Sequence, residues 1–215
     1  TNGHRIGSDY EYAKKLIDAD ISLYNIGFHG SNSKIMDELT GTGSFEKTMN
    51  GIRTIAGFNK AIRITVVVCS QNYKDLPSIV SLAVKEGISH INISAMQTGG
   101  SALRSLDYLL VSYSQAGPYI AEAVCMAEQL KLKVTLEGFP FCILPGLERY
   151  QVDWTVQRLK VFYRKMVIDD YNKFLTDTIR TFGEPCTCCK KRKICTGVYK
   201  EYVNKYGWNE FNTYM

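Results

Sequence analysis

Between Asp9 and Leu136 the apolar positions switch repeatedly between a helical and a strand period. Tyr12, Ala13, Leu16 and Ile17 fall on one helical face, and Ser8-Asp9 ahead of them can cap a helix reaching to about Ala19. Ile21 to Phe28 is a short apolar run that reads as a buried strand. Ser44 to Gly57 reads as a second helix, with Ser44 as its cap and Gly57 as its stop. Ile62 to Cys69 (IRITVVVC) is the strongest strand in the chain, rich in the β-branched residues that suit a pleated surface. Asp75 to Glu86 follows as a helix ended by Gly87, and Ile91 to Met96 as a strand. Pro118 to Leu130 reads as a helix begun by proline, whose fixed φ suits a first turn, and Lys133 to Leu136 as a last strand.

Strands alternating with helices at this spacing predict a parallel sheet covered by helices, as a barrel or an open sheet. About four strands are visible, fewer than a complete barrel needs. Polar residues cluster at the strand ends: His29, Ser31 and Asn32, then Ser70, Gln71 and Asn72, then Gln97 to Gly100. Parallel folds bind ligands at the carboxyl ends of their strands, so this is where a site is expected. After Gly138 the pattern changes. Residues 139–146 read as a loop, Asp153 to Arg180 show no clean period, and an aromatic tail runs from Tyr199 to Tyr214. The expected division is therefore 1–138, an α/β part, and 139–215, a cysteine-rich extension.

Composition narrows the function classes. The 215 residues are 45% hydrophobic and 22% charged, which fits a chain with a real core and excludes a disordered tail, a fibre or a coiled coil. The net charge of +5 is too small to argue for nucleic acid by itself. No apolar run approaches the roughly 20 residues of a membrane helix, and Thr1 to Tyr10 is too polar for a signal peptide, so a cytoplasmic location is expected. No Walker, GxSxG or HExxH motif occurs, which weighs against ordinary hydrolases and nucleoside triphosphatases.

Seven cysteines are present, and Cys186, Cys188, Cys189 and Cys195 crowd into ten residues. Cys186 and Cys189 have the C-x2-C spacing that turns two thiolates towards one metal, and Cys195 can close from the next turn. A fourth ligand is either Cys142 or Cys188. Neighbouring side chains point apart, which favours Cys142 over a Cys188 that adjoins Cys189. Spacing alone suits zinc at least as well as an iron–sulfur cluster. Lys190 to Lys193 is either a solvated turn or a counter-charge for a thiolate-bound group. Cys69 and Cys125 read as buried small hydrophobes. Among the histidines, His29 ends a strand at the expected ligand face, whereas His90 enters one.

Several of these segments, in this order, resemble the radical S-adenosylmethionine (radical SAM) enzymes. Thr1-Asn2-Gly3 is similar to the TNG that often closes their third barrel strand. His29-Gly-x3-Lys34-x-Met36-Asp37-x-Leu-Thr-Gly41-x-Gly-Ser-Phe45 resembles the stretch after their fourth strand, with Gly27 standing where the family often has serine. Val67-Val68, Asn72 and Leu76 are similar to their fifth strand and its helix. Pro140-Phe-Cys142, then Cys186-x2-Cys189-x5-Cys195-x-Gly197 with Tyr202, Tyr206-Gly207 and Glu210, resembles the auxiliary-cluster tail of twitch/SPASM-type members.

The resemblance implies the C-terminal part of a partial (β/α)6 TIM-like barrel with parallel strands, followed by a small cysteine-rich extension. It implies an auxiliary [4Fe-4S] cluster on Cys142, Cys186, Cys189 and Cys195. It also implies S-adenosyl-L-methionine as a cofactor of the complete enzyme, with Asn2, His29 and Asn72 facing it from strand ends. The expected activity is formation of a 5′-deoxyadenosyl radical and modification of a peptide or small-molecule substrate, with an electron-donor protein as a further partner. The family's CxxxCxxC loop and GGE-type motif do not occur in this sequence. Both belong ahead of a TNG, so these residues alone are expected to be inactive. The competing readings are a zinc-holding interaction module and a family member that has lost radical chemistry.

Overall fold

The structure, a computed structural model, describes residues 1–152, 159–163 and 166–214. Its elements begin with α1 (His4–Ser8), α2 (Tyr10–Asp18), β1 (Tyr24–Gly27), α3 (Ser33–Thr40), α4 (Ser44–Gly57) and β2 (Ile62–Val67). They continue with α5 (Leu76–Lys85), β3 (His90–Ser94), α6 (Leu106–Leu109), α7 (Tyr113–Gln129) and β4 (Lys133–Glu137). Last come β5 (Val161–Tyr163), β6 (Met166–Ile168), α8 (Tyr171–Thr178), β7 (Arg180–Thr181), β8 (Val198–Tyr199) and α9 (Lys200–Tyr206). They form two compact units: Thr1–Ser94 with Pro118–Thr135, and Ala95–Gly117 with Leu136–Met215. Among the described residues no helix is long and apolar enough to cross a membrane.

The first unit is built on a sheet of order β1-β2-β3-β4, in which β1–β2 and β2–β3 pair in parallel. Ile26, Ile64 and Ile91 lie in register and are completely buried, as are Ile62 and Ile93 to within one percent. Burying each such side chain contributes about 1.5–3 kcal/mol, so this apolar face anchors the sheet. The alternate residues carry polar groups. The Thr65 hydroxyl (2.9 Å) and Arg63 Nε (3.2 Å) both donate to Asn25 Oδ1. Thr135 donates to Asn92 Oδ1 at 2.8 Å and so accepts from Nε2 of the buried His90, also at 2.8 Å.

Helix α2 is capped as the sequence leads one to expect, Asp9 accepting from the Tyr12 amide at 2.9 Å. Helix α4 has the expected bounds and a different cap. Ser44 is its first helical residue and donates to the Thr40 carbonyl, while the Asp37 carboxylate accepts from Gly43 N (2.7 Å) and Phe45 N (2.8 Å). The two amides hold the Asp37 carboxyl below its ordinary value. Helix α1 lies backbone to backbone on α4: a β-carbon on Gly51 would stand 2.3 Å from the Gly3 carbonyl oxygen. Only glycine permits that approach.

In the second unit β5 and β6 form an antiparallel pair, and β7 pairs antiparallel with β8. β5, β6 and α8 fall in the segment that shows no sequence period; residues 153–158 and 164–165 of it lie outside the described residues. The proline of α7 is not in the first turn as expected. The helix begins at Tyr113 and Pro118 lies inside it. Its early start rests on distant partners for the orphan amides of a first turn. The Tyr113 amide donates to the Tyr202 hydroxyl (2.5 Å) and Ser114 N to Glu210 (2.8 Å), while Gln115 N donates locally to Ser112 Oγ (3.2 Å).

Candidate metal centre and strand-end site

At the carboxyl ends of β1 and β2 the chain is tied by one amide. Asn72 is fully buried; its Nδ2 donates to the carbonyls of His29 (3.1 Å) and Val67 (2.9 Å), and its Oδ1 accepts from Cys69 N at 2.8 Å. Asn72 therefore sets the spacing of the two strand ends, and its amide is spent on backbone. Ser31 and Asp75 add a second tie, hydroxyl to carboxylate at 2.6 Å. His29 Nδ1 accepts from Val67 N at 3.3 Å, which places the ring proton on Nε2. Burial lowers the pKa of this imidazole, so it is neutral at pH 7 and presents an N–H donor at the strand end.

Asn2 lies apart from that pair. It is exposed, and its Oδ1 accepts from His4 N at 3.2 Å. Its neighbour Thr1 donates to the Asn25 carbonyl (3.1 Å) and accepts from Gly27 N (3.0 Å), the bonding pattern of a parallel strand beside β1. Of the three expected cofactor contacts, the structure thus brings His29 and Asn72 together and leaves Asn2 on the outer side of β1.

The cysteine site is carried by β7 and β8, whose antiparallel pairing closes the loop between Thr181 and Val198. Within it short turns follow one another, with Cys189 N donating to Cys186 O and Cys195 N to Lys191 O. Cys142 arrives from the turn Phe141–Ile143 behind Pro140. Cys142, Cys186, Cys189 and Cys195 line one apolar cavity, walled by Phe141, Phe182 and Phe211 among others. Cys188 is exposed and lies outside it. Burial, with the other three cysteines adding, pushes the Cys142 thiol up to about 12, and burial raises the Cys195 thiol too. Among the described residues no three His, Cys, Asp or Glu side chains converge closely enough to hold a single metal ion.

The basic run is only partly a solvated turn. Lys190, Arg192 and Lys193 are exposed and Lys191 is half-buried, and both Lys191 and Arg192 line the cysteine cavity. Lys191 Nζ stands 4.5 Å from the centre of the Tyr214 ring and 5.2 Å from that of Phe141, and pairs with Glu148 at 3.5 Å. The Arg192 guanidinium lies 4.3 Å over Phe182. Tyr214 donates to the same Glu148 at 2.5 Å and strapping is completed by Lys190 N, which donates to the Tyr214 carbonyl. Two positive charges, that of Lys191 half-buried and that of Arg192 exposed, therefore stand at the wall of a cavity lined by four thiols.

No protein-family model matches the chain. It is 33% identical over 102 residues to the mycofactocin maturase MftC of Mycolicibacterium smegmatis, a stretch covering 46% of the chain and 25% of that protein. It is 25% identical over 123 residues to the PqqA peptide cyclase of Rhodopseudomonas palustris, covering 57% and 33% respectively. Streptococcus suis SuiB, solved with S-adenosylmethionine bound, superposes with a TM-score of 0.55 at 16% identity, over 85% of the chain and 50% of SuiB. Over part of its length the chain is thus similar to radical SAM enzymes. It spans between a quarter and a third of the length of these two curated relatives. The likeness to SuiB concerns the fold, and it makes the four-stranded sheet part of a TIM-like barrel.

Two groups of side chains escape a reading of strand ends. The row Asn25, Arg63, Thr65, His90, Asn92 and Thr135 covers one sheet face; the alternation in IRITVV was the available signal for Arg63 and Thr65. Tyr202 and Glu210 act on the start of α7 from 89 and 96 residues away. Nothing local announces that.

Proposed function

We propose that the chain is the C-terminal part of a radical SAM enzyme that modifies a peptide, and that Cys142, Cys186, Cys189 and Cys195 hold an auxiliary [4Fe-4S] cluster. The observation that carries this is the shared cavity: four thiols from two separate segments line it, and the fifth nearby thiol, Cys188, does not. A cubane binds each thiolate through a different iron, so it asks for cysteines spread round a chamber rather than gathered at a point. Donor chemistry, apolar walls and the charges of Lys191 and Arg192 all suit that group. The relatives named as a maturase and a peptide cyclase support a peptide as the substrate class.

With all four irons held by thiolates, such a cluster would supply one-electron transfer near the substrate. The chain's own residues do the rest. Gly197 N donates to Cys195 Sγ at 3.4 Å, a hydrogen bond that favours the thiolate. Lys191 and Arg192 offset its negative charge. Phe211 and Tyr214 close the chamber against water. At the strand ends, Asn72 holds β1 and β2 in place so that His29 presents its Nε2–H donor towards S-adenosylmethionine in the complete enzyme.

The test is iron, acid-labile sulfide and zinc content of anaerobically purified protein. About four irons and four sulfides per chain, the cubane stoichiometry, support the reading. Cys142→Ala is expected to lose the cluster and Cys188→Ala to keep it. One zinc and no sulfide would overturn the assignment in favour of a zinc-holding module.

A further inference from the structure

Within the second unit a basic run adjoins a small cavity. Of residues 190–193, Lys191 is paired with an acid, Glu148 at 3.5 Å, and the Arg192 guanidinium lies over the Phe182 ring. Lys190 and Lys193 are exposed, and among the described residues neither side chain has an ion-pair partner. Their charges add to a positive field at this loop, which steers anionic partners towards it. Exposed lysines by themselves make a solvated loop. The residue that follows them changes that reading.

Ile194 comes directly after Lys193 and is 53% exposed, a large aliphatic side chain left in water. It lines a cavity of about 180 Å³ together with Phe139, Phe141 and Val152. The cavity therefore reaches from the surface beside Ile194 in to the buried Phe139. At ~30 Å³ per water it has room for about six, which suits one side chain of leucine size and excludes a nucleotide. Water against four apolar walls is displaced favourably by an apolar group. Glu148 also lines the cavity, with its charge already met by Lys191 and by the Tyr214 hydroxyl. Lys190 is fastened through the same tyrosine, its amide donating to the Tyr214 carbonyl at 2.9 Å.

We propose that this surface docks an acidic peptide, which seats one apolar side chain in the cavity beside Ile194 and sets its carboxylates against the exposed cations of the run, Lys193 first. A buried anchor inside a charged rim is how recognition surfaces divide their work. The anchor carries affinity, while the rim selects the partner and speeds encounter. Phe141 also walls the cysteine cavity, so a docked peptide passes next to the four thiols. On the peptide-modifying reading the ligand is the substrate. The docking site goes beyond that reading and does not depend on the cluster.

The experiment titrates the whole chain, with labelled isoleucine methyl groups, with acetyl-Asp-Asp-Leu-Asp-Asp-amide at low and high salt. The Ile194 methyl resonances are expected to move saturably, and binding to weaken as salt rises. The same peptide with alanine for leucine is expected to bind about tenfold more weakly, because three fewer carbons leave water. Asparagine in place of the aspartates, or Lys193→Glu in the protein, is expected to weaken binding about threefold or more and to flatten the salt dependence. Ile194→Asp, also at an exposed position, is expected to abolish it. Should a variant fail to fold, the peptide series decides without it. Equal binding of the leucine and alanine peptides, equal binding of the asparagine peptide, or indifference of Ile194 would overturn the proposal. So would tighter binding of a uridine octanucleotide, which would make the run a nucleic-acid contact. A chain that lacks iron and sulfide yet binds the acidic peptide leaves this site standing while the cluster fails, and a full cluster without peptide binding does the reverse.

Discussion

Replacing Tyr202 by Phe removes one oxygen from a side chain that is 1% exposed, so its outcome can be worked out in advance. That oxygen accepts from the buried Tyr113 amide at 2.5 Å and donates to the Glu210 carboxylate. The ring keeps its stacking on Tyr113, whose centroid is 4.0 Å away, and its edge contact with Phe211. Packing is therefore unchanged and only two hydrogen bonds are lost. Leaving a buried amide unsatisfied costs about 1–3 kcal/mol, and the bond to a carboxylate is worth about 1.5–3 kcal/mol, reduced here because Glu210 is half-exposed. The expected loss is about 2–4 kcal/mol, read as a shift in the urea midpoint with the slope unchanged.

The same substitution should speed hydrogen exchange of the Tyr113 and Ser114 amides, since α7 would lose part of its N-terminal cap. Glu210→Gln disturbs the same group, as Glu210 also accepts from Ser114 N and from Ser114 Oγ at 2.6 Å. The two losses are expected to be non-additive by at least about 0.5 kcal/mol, as for partners in one network. A Tyr202→Phe loss below about 0.5 kcal/mol, or strict additivity with Glu210→Gln, would show that the tail does not cap α7.

Two further outcomes are expected. Burial, with Lys133 and Arg63 adding, lowers the His90 pKa to about 4 against an ordinary 6.5. The unfolded chain then binds more protons between those values, so His90 contributes stability above pH 6.5 that is lost as pH falls to 4; by linkage the loss is at most about 3 kcal/mol. Urea midpoints at pH 7 and pH 4.5 should differ less in His90→Gln, and an unchanged difference would refute the point. In the cluster-loaded protein Lys191→Met is expected to lower the reduction potential by some tens of millivolts, because a cation in the cavity wall favours the more negative reduced state. A rise or no change in a potentiometric titration would place Lys191 outside the cluster's field.

What the chain's linear pattern determined is the first unit's alternation. IRITVV carries its own period, and Ile62, Ile64 and Val66 are buried while Arg63, Thr65 and Val67 are less so. The caps at Asp9 and the bounds Ser44–Gly57 follow from neighbours a few residues away, and local rules reach that far. The C-x2-C spacing likewise restricted the candidate metal ligands to a few thiols, because a spacing of three positions brings two side chains round one turn.

Tertiary structure decided what depends on distant partners. Helix α7 starts five residues ahead of its proline because Tyr202 and Glu210 receive its first amides, which no window around Pro118 contains. Cys142 joins Cys186, Cys189 and Cys195, and Cys188 is left outside, only because β7 and β8 close their loop over the turn at Phe141–Ile143. Asn72 lies at an expected strand end, yet burial turns it from a ligand contact into a bracket for His29 and Val67. Arg180 reads in the sequence as one of 26 basic residues; only the fold buries it against the Tyr199 hydroxyl and ring. Periodicity and turn chemistry are local and survive in a linear reading. Solvent exclusion and the pairing of polar groups are properties of the packed chain, and they determine which of these side chains remains free to bind.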